Sequence, residues 1–201
     1  MINTTPRARA RAAISGRGCE RVACRVVSES LRGQLLIAAP SLFDYFRRAV
    51  ILVLEHSPDG AMGVVLGRES ETPVAEALPA LADLPGADGM VRLGGPVSPE
   101  SVVALGDFGD PAEAGTHVVG PLGTLDPDAQ NSSLRRLRVY AGYAGWAPGQ
   151  LDGELEQGAW IVQPAHADDP FRDDDIWSEA LRRKGGGYRL LATMPADPSL
   201  N

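Results

Sequence analysis

Beyond residue 32 the chain alternates short apolar runs with turn-forming punctuation. "GQLLIAAP" (33–40) and "AVILVLEH" (49–56) are too short for typical helices and too uniformly apolar for strands wetted on one side. They therefore read as buried strands. "SPDG" (57–60) carries the Pro-Asp-Gly chemistry of a tight turn, and "AMGVVLG" resumes a strand pattern, so residues 49–67 read as a hairpin. Further strand-like runs follow in "MVRLGG" (90–95), "SVVALGDF" (101–108) and "THVVG" (116–120), and another around Trp160 and Ile161. Residues 121–135 have too little periodicity to assign.

Two stretches have helical spacing. In "TPVAEALPALADLPG" Thr72 is placed as an N-cap and Pro73 at the first helical position, with Val74, Ala77, Leu78 and Leu81 on one stripe. Pro79 must end that helix early. "DDDIWSEALRRKGGG" (173–187) has aspartates at its start, basic residues in its last turn and glycine beyond, which complements a helix dipole at both ends. Strands outnumber helices and do not alternate strictly with them. The expected class is α+β, in a single compact domain.

Composition narrows the picture. At 201 residues and 44% hydrophobic, the chain can bury a sizeable core without staples. Its only cysteines, Cys19 and Cys24, exclude a disulfide framework and point to a reducing, cytoplasmic setting. No apolar run is long enough for a membrane span. The net charge of −7 conceals an asymmetry: residues 1–32 carry seven arginines against two glutamates, or +5, leaving −12 on the remainder. Residues 1–30 read as a disordered arm, or as leader sequence, and residues 31–201 as the folded domain. An acidic body repels phosphate backbones, so the arm is the one stretch with the charge to contact nucleic acid.

"AGYAGWAPGQLDGEL" (141–155) is the most unusual stretch. Gly142-x-x-Gly145-x-x-x-Gly149 matches neither a Walker loop nor a dinucleotide fingerprint, and no cofactor is implied. It reads as a bend from strand to helix, with Tyr143 and Trp146 filling the core; the alternative is a pocket wall. His56 follows Glu55 at the end of a buried run, but no nucleophile elbow or His-Glu-x-x-His motif accompanies it. His56, His117 and His166 lack the paired spacing of a metal site, and Cys19-x4-Cys24 has no second ligand pair, so no metal is expected. The Asp173–Asp175 triplet is explained by capping. Gly94-Gly95-Pro96 after a strand lets the main chain pass close to another segment. These residues define a candidate binding surface of Glu55, His56, Met62, Gly63, Gly94, Gly95, Tyr143, Trp146, Gln150 and Trp160.

Four stretches taken together, "GQLLIAAP", "EHSPDGAMGVVLGR", "GGPV" and "GYAGWAPGQLDGELEQGAW", resemble the bacterial YqgE/AlgH family in order and spacing. The resemblance runs from about residue 30 to the end of the chain. It implies a curved, mainly antiparallel sheet flanked by helices and carries the label of transcriptional regulator, but supplies no catalytic residue or ligand. The chain departs from the family pattern at "SPESVVALG" after "GGPV", and at Gly67-Arg68-Glu69 after the hairpin. The leading expectation is a non-enzymatic regulatory or binding domain acting through a small ligand or protein partner in gene regulation. The alternatives are an enzyme using Glu55 and His56, and direct DNA binding through the arm.

Overall fold

A computed structural model describes residues 30–126, 128–129 and 131–195. The arginine-rich arm through residue 29, with both cysteines, lies outside the described residues. One sheet organises the domain, in the order β10 (Trp160–Pro164), β1 (Gln34–Ala38), β2 (Val50–Ser57), β3 (Gly60–Val65), β9 (Leu134–Trp146), β6 (Val97–Phe108), β8 (Leu122–Thr124), β7 (Thr116–Val119). β5 (Met90–Leu93) joins β9 beside β3, and β4 (Glu69–Pro73) pairs with β5. Every pairing is antiparallel except β5 with β9. The sheet is not closed, and the domain is α+β.

The unbroken apolar runs follow from burial on both faces. Leu35, Ile37, Val50 and Leu52 face one core with Trp177 and Leu181 of α3 (Ile176–Lys184). Leu36, Ala38, Ile51 and Val53 face another, with Trp146, Trp160 and Leu151 of α2 (Gln150–Glu156). A third cluster packs Val74 of α1 (Val74–Ala77) and Leu81 against Val91, Leu137 and Val139. α3 begins as its sequence predicts: Asp175 is the N-cap, accepting from the Ser178 N–H at 3.2 Å, and Gly185 ends it at φ +79°. A short α4 (Tyr188–Leu191) follows.

β9 is the strand on which the sheet turns, because β3 and β5 succeed one another along one of its edges while β6 lines the other. Gly94 stitches this junction: its N–H donates to the Ala141 carbonyl at 2.8 Å and its carbonyl accepts from the Val65 N–H at 2.8 Å. The main chains pass so closely that a Cβ at Gly94 would overlap the Gly142 carbonyl, and one at Gly95 the Tyr143 carbonyl. Gly142, at φ +68°, takes a left-handed conformation on the other side of the crossing.

Several local expectations are corrected. Residues 141–146 continue β9 as strand, because β3, β5 and β6 pair with it there and Gly142 lets the Gly95 and Val97 backbone pass close; the bend to α2 comes only at Ala147–Gly149, where Gly149 has φ +73°. Thr72 and Pro73 belong to β4, so the helix has no side-chain cap. It lasts one turn, and Pro79 opens a 3-10 turn (Pro79–Leu81). β6 begins at Val97, absorbing residues read as a connection, and residues 122–124 form β8.

Gly95→Ala is expected to cost at least about 3 kcal/mol of unfolding free energy, since the added carbon meets backbone that cannot yield. Gly153→Ala, in the middle of α2 with open space around it, is expected to gain about 0.5–1 kcal/mol. Urea denaturation of the two variants checks both signs.

Candidate functional site

The β2–β3 hairpin ends at the Ser57–Gly60 turn, and pairing of Ala61 with Trp146 brings the end of β9 against it. The hairpin tip and the tryptophan corner therefore adjoin. An open cavity of ≈ 330 Å³ lies there, with Glu55, His56, Met62 and Trp146 among its lining residues. Glu55 and His56, adjacent on β2, both reach it where a bulge interrupts pairing between Val53 and Glu55. Arg32 and Asp59 also line it; neither is among the ten residues named from sequence, although Asp59 lies in the Ser57–Gly60 turn, and no local motif marks Arg32.

His56 is tied to the segment entering the domain. Its Nδ1 accepts from the Leu31 N–H at 3.1 Å, and its carbonyl from the Ser30 hydroxyl at 3.2 Å. The neutral ring thus carries its proton on Nε2. No nucleophile is hydrogen-bonded to the His56 imidazole among the described residues, and the Ser57 hydroxyl accepts from the Asp59 N–H at 3.2 Å. His117 bonds the Gly120 carbonyl and His166 lies in another loop. Among the described residues no group of three His, Cys, Asp or Glu is placed to hold a metal ion, and no helix is long and apolar enough to cross a membrane.

The remaining candidate residues do different work. Trp146 and Trp160 are buried and meet edge to face, with ring centroids 6.1 Å apart. Both indole N–H groups donate to one Glu154 oxygen, at 2.9 and 2.7 Å. Gln150 donates to the other Glu154 oxygen at 2.9 Å and accepts from the Ala147 N–H at 3.1 Å, closing the turn into α2. Two indoles needing an acceptor, six and eight residues from a glutamate, are the sequence signal for Glu154. Gly63 is buried between β2 and β9, and Gly94, Gly95 and the half-buried Tyr143 lie at the backbone crossing. Nine of the ten candidate residues thus divide into a cavity lining, an aromatic corner and a backbone crossing, and Gly63 instead packs against β2.

The acidic run 168–175 is neutralised by arginines. Asp168 pairs with Arg136 and Asp169 with Arg183; Asp173 bridges Arg92 and Arg138; Asp174 pairs with Arg172 and Asp175 with Arg48. Capping accounts only for Asp175, a correction to the reading of the whole triplet. Burial pushes the Asp107 carboxyl up, but hydrogen bonds and charge from Arg136 and Arg135 outweigh it and hold the group below the usual carboxylate range. At Asp175 burial is likewise outweighed, by bonds from Ser178 and by Arg48. Burial raises the Tyr140 phenol, which stays protonated and donates to the Pro170 carbonyl at 3.3 Å.

Fold and site together define an α+β domain built on one open, chiefly antiparallel sheet, with an open polar cavity at a hairpin tip. The chain belongs to the AlgH-like family, whose model matches residues 35–189. It is 44% identical over 186 residues to a UPF0301 protein of Streptomyces coelicolor, covering 86% of this chain and 96% of that one. A UPF0301 protein of Thermobifida fusca is 42% identical over 191 residues, covering 86% and 96%. Among solved structures, protein DIP2367 of Corynebacterium diphtheriae superposes with a TM-score of 0.74 at 32% identity, covering 81% of this chain and 92% of that one. The AlgH protein of Pseudomonas aeruginosa gives 0.61 at 29% identity, covering 84% and 96%.

Glu154→Ala leaves two buried indole N–H groups without an acceptor and is expected to cost about 2–4 kcal/mol, read by denaturation followed through tryptophan fluorescence. The depressed carboxyls of Asp107 and Asp175 stabilise the fold above their unfolded pKa, and that stabilisation is lost as pH falls below about 4. Melting temperature should therefore be nearly flat above about pH 5 and drop below 4, with a shallower drop in Asp107→Asn.

Proposed function

We propose that this chain is a non-enzymatic binding domain with a regulatory role, engaging a small ligand at the hairpin-tip cavity. The observation that carries this reading is the convergence of Glu55, His56, Met62 and Trp146 on one open cavity, with no nucleophile hydrogen-bonded to the His56 imidazole among the described residues. Glu55 and Asp59 make no side-chain ion pair among the described residues, and both line the cavity. With Arg32 as the one arginine or lysine in the lining, the two carboxylates still outnumber it, and this favours a ligand with an ammonium or guanidinium group. Because Ser30 and Leu31 are hydrogen-bonded to His56, occupation of the cavity would also be felt by the chain entering the domain. That coupling is a route for a bound ligand to alter a protein partner's contact.

The test is a thermal-shift screen with small amines, guanidines and carboxylates, followed by NMR titration. Amines or guanidines should raise the melting temperature and move the Trp146 and Met62 signals, and Glu55→Gln with Asp59→Asn should weaken the effect about tenfold. Equal response to carboxylates, or signals moving only elsewhere, would refute the reading.

A further inference from the structure

A second surface lies on the face formed by β5, β9 and β6. Val91, Val139 and Ala141 form the floor of a groove of ≈ 380 Å³, with Leu78 after α1 on one side and Pro99 and Glu100 of β6 on the other. Apolar side chains are left in solvent here: Val102 is 48% exposed and Leu93 43%. An isolated exposed valine needs no explanation, but a contiguous apolar floor between two walls marks an interaction surface.

The wall at Pro99–Glu100 is held in place by backbone distortion. β6 pairs Val97 with Tyr143 and then Val102 with Ala141, so the residues between them bulge out of the ladder. Ser98 adopts φ +45°, an unfavourable conformation for a non-glycine residue. The bulge rests against Gly142, where an added Cβ would lie 3.2 Å from the Pro99 α-carbon and 3.0 Å from the Val97 carbonyl. Proline, lacking an N–H, and the bulge together spoil this strand edge for pairing with another strand. An occupant must therefore enter through its side chains, from above the sheet face.

Charge identifies the kind of occupant. Glu100 lines the groove, Glu71 and Glu76 are exposed on the neighbouring β4 and α1, and no lysine, arginine or histidine is among the lining residues. Arg92 of β5 does not enter this balance, because it is buried with Asp173 and Glu69. We propose that the groove docks a peptide segment of a partner protein that presents two or three aliphatic side chains flanked by lysine or arginine. This surface is separate from the hairpin-tip cavity: the two share no lining residue.

The test uses the full chain, isotopically labelled, titrated with a synthetic peptide of about eight alternating lysine and leucine residues and with its glutamate–leucine counterpart. The lysine peptide should move the amide signals of Val91, Leu93, Val102 and Ala141 and bind at least about tenfold more tightly than the glutamate peptide, with the preference shrinking in high salt. Val102→Asp should abolish binding and Glu100→Lys should reverse the charge preference; both side chains are exposed, so folding is checked independently by melting temperature. The proposal is overturned by no binding of the lysine peptide, by equal binding of both peptides, by shifts confined to Glu55, Met62 and Trp146, or by groove signals that move with protein concentration alone, which would make a second copy the occupant. Release of the groove signals by Arg21→Glu with Arg25→Glu, without added peptide, would assign it to the chain's own arm and equally overturn it.

Discussion

Backbone-to-backbone contact at Gly94–Gly95 and Gly142 is the constraint on which the rest of the structure depends. β9 must serve β3 and β5 along one edge and β6 along the other, and Gly94 is hydrogen-bonded to both β3 and β9. Any side chain at the crossing would separate strands that need to hydrogen-bond. The hairpin-tip cavity lies at one end of β9 and the apolar groove beside Ala141 and Gly142, so both surfaces adjoin this junction. The glycines that look like a ligand loop in sequence build the scaffold that carries candidate sites.

The second organising feature is electrostatic. The body is strongly acidic, yet all five aspartates between residues 168 and 175 are met by arginines, most of them on sheet strands or α3. Ion pairs of this kind contribute little to net stability when exposed, but they fix which carboxylate meets which guanidinium and so pin the segment leading into α3 over the sheet. Consequently the acidic run is spent on structure. Glu55 and Asp59 at the hairpin tip and Glu100 at the groove make no ion pair among the described residues, so each has charge to offer a ligand or partner.

The aromatic corner shows how one side chain can serve packing and positioning together. Glu154 satisfies two buried indoles and a glutamine that closes the turn, so Trp146 lines the cavity while its side chain stays in the core. That rigidity suits a binding surface, where a fixed aromatic wall loses little conformational entropy when a ligand arrives.

The sequence by itself determined the local elements whose signals are short-range: the buried strands β1 and β2, the Pro-Asp-Gly turn between β2 and β3, and α3 with its aspartate cap and basic last turn. Period, turn chemistry and capping act over a few residues and can be read one chain at a time. Tertiary structure alone decided the rest. Residues 141–146 became strand because β3, β5 and β6 supplied partners that no local propensity anticipates; Thr72–Pro73 became strand because β5 lay beside it. The pairing of Ala61 with Trp146, which brings the end of β9 to the hairpin tip, and the Leu31–His56 hydrogen bond, which brings Arg32 there, join positions tens of residues apart. Contacts between distant segments depend on how whole strands order in a sheet, and that order is set by collective burial and hydrogen bonding, with no signature in any single stretch of sequence.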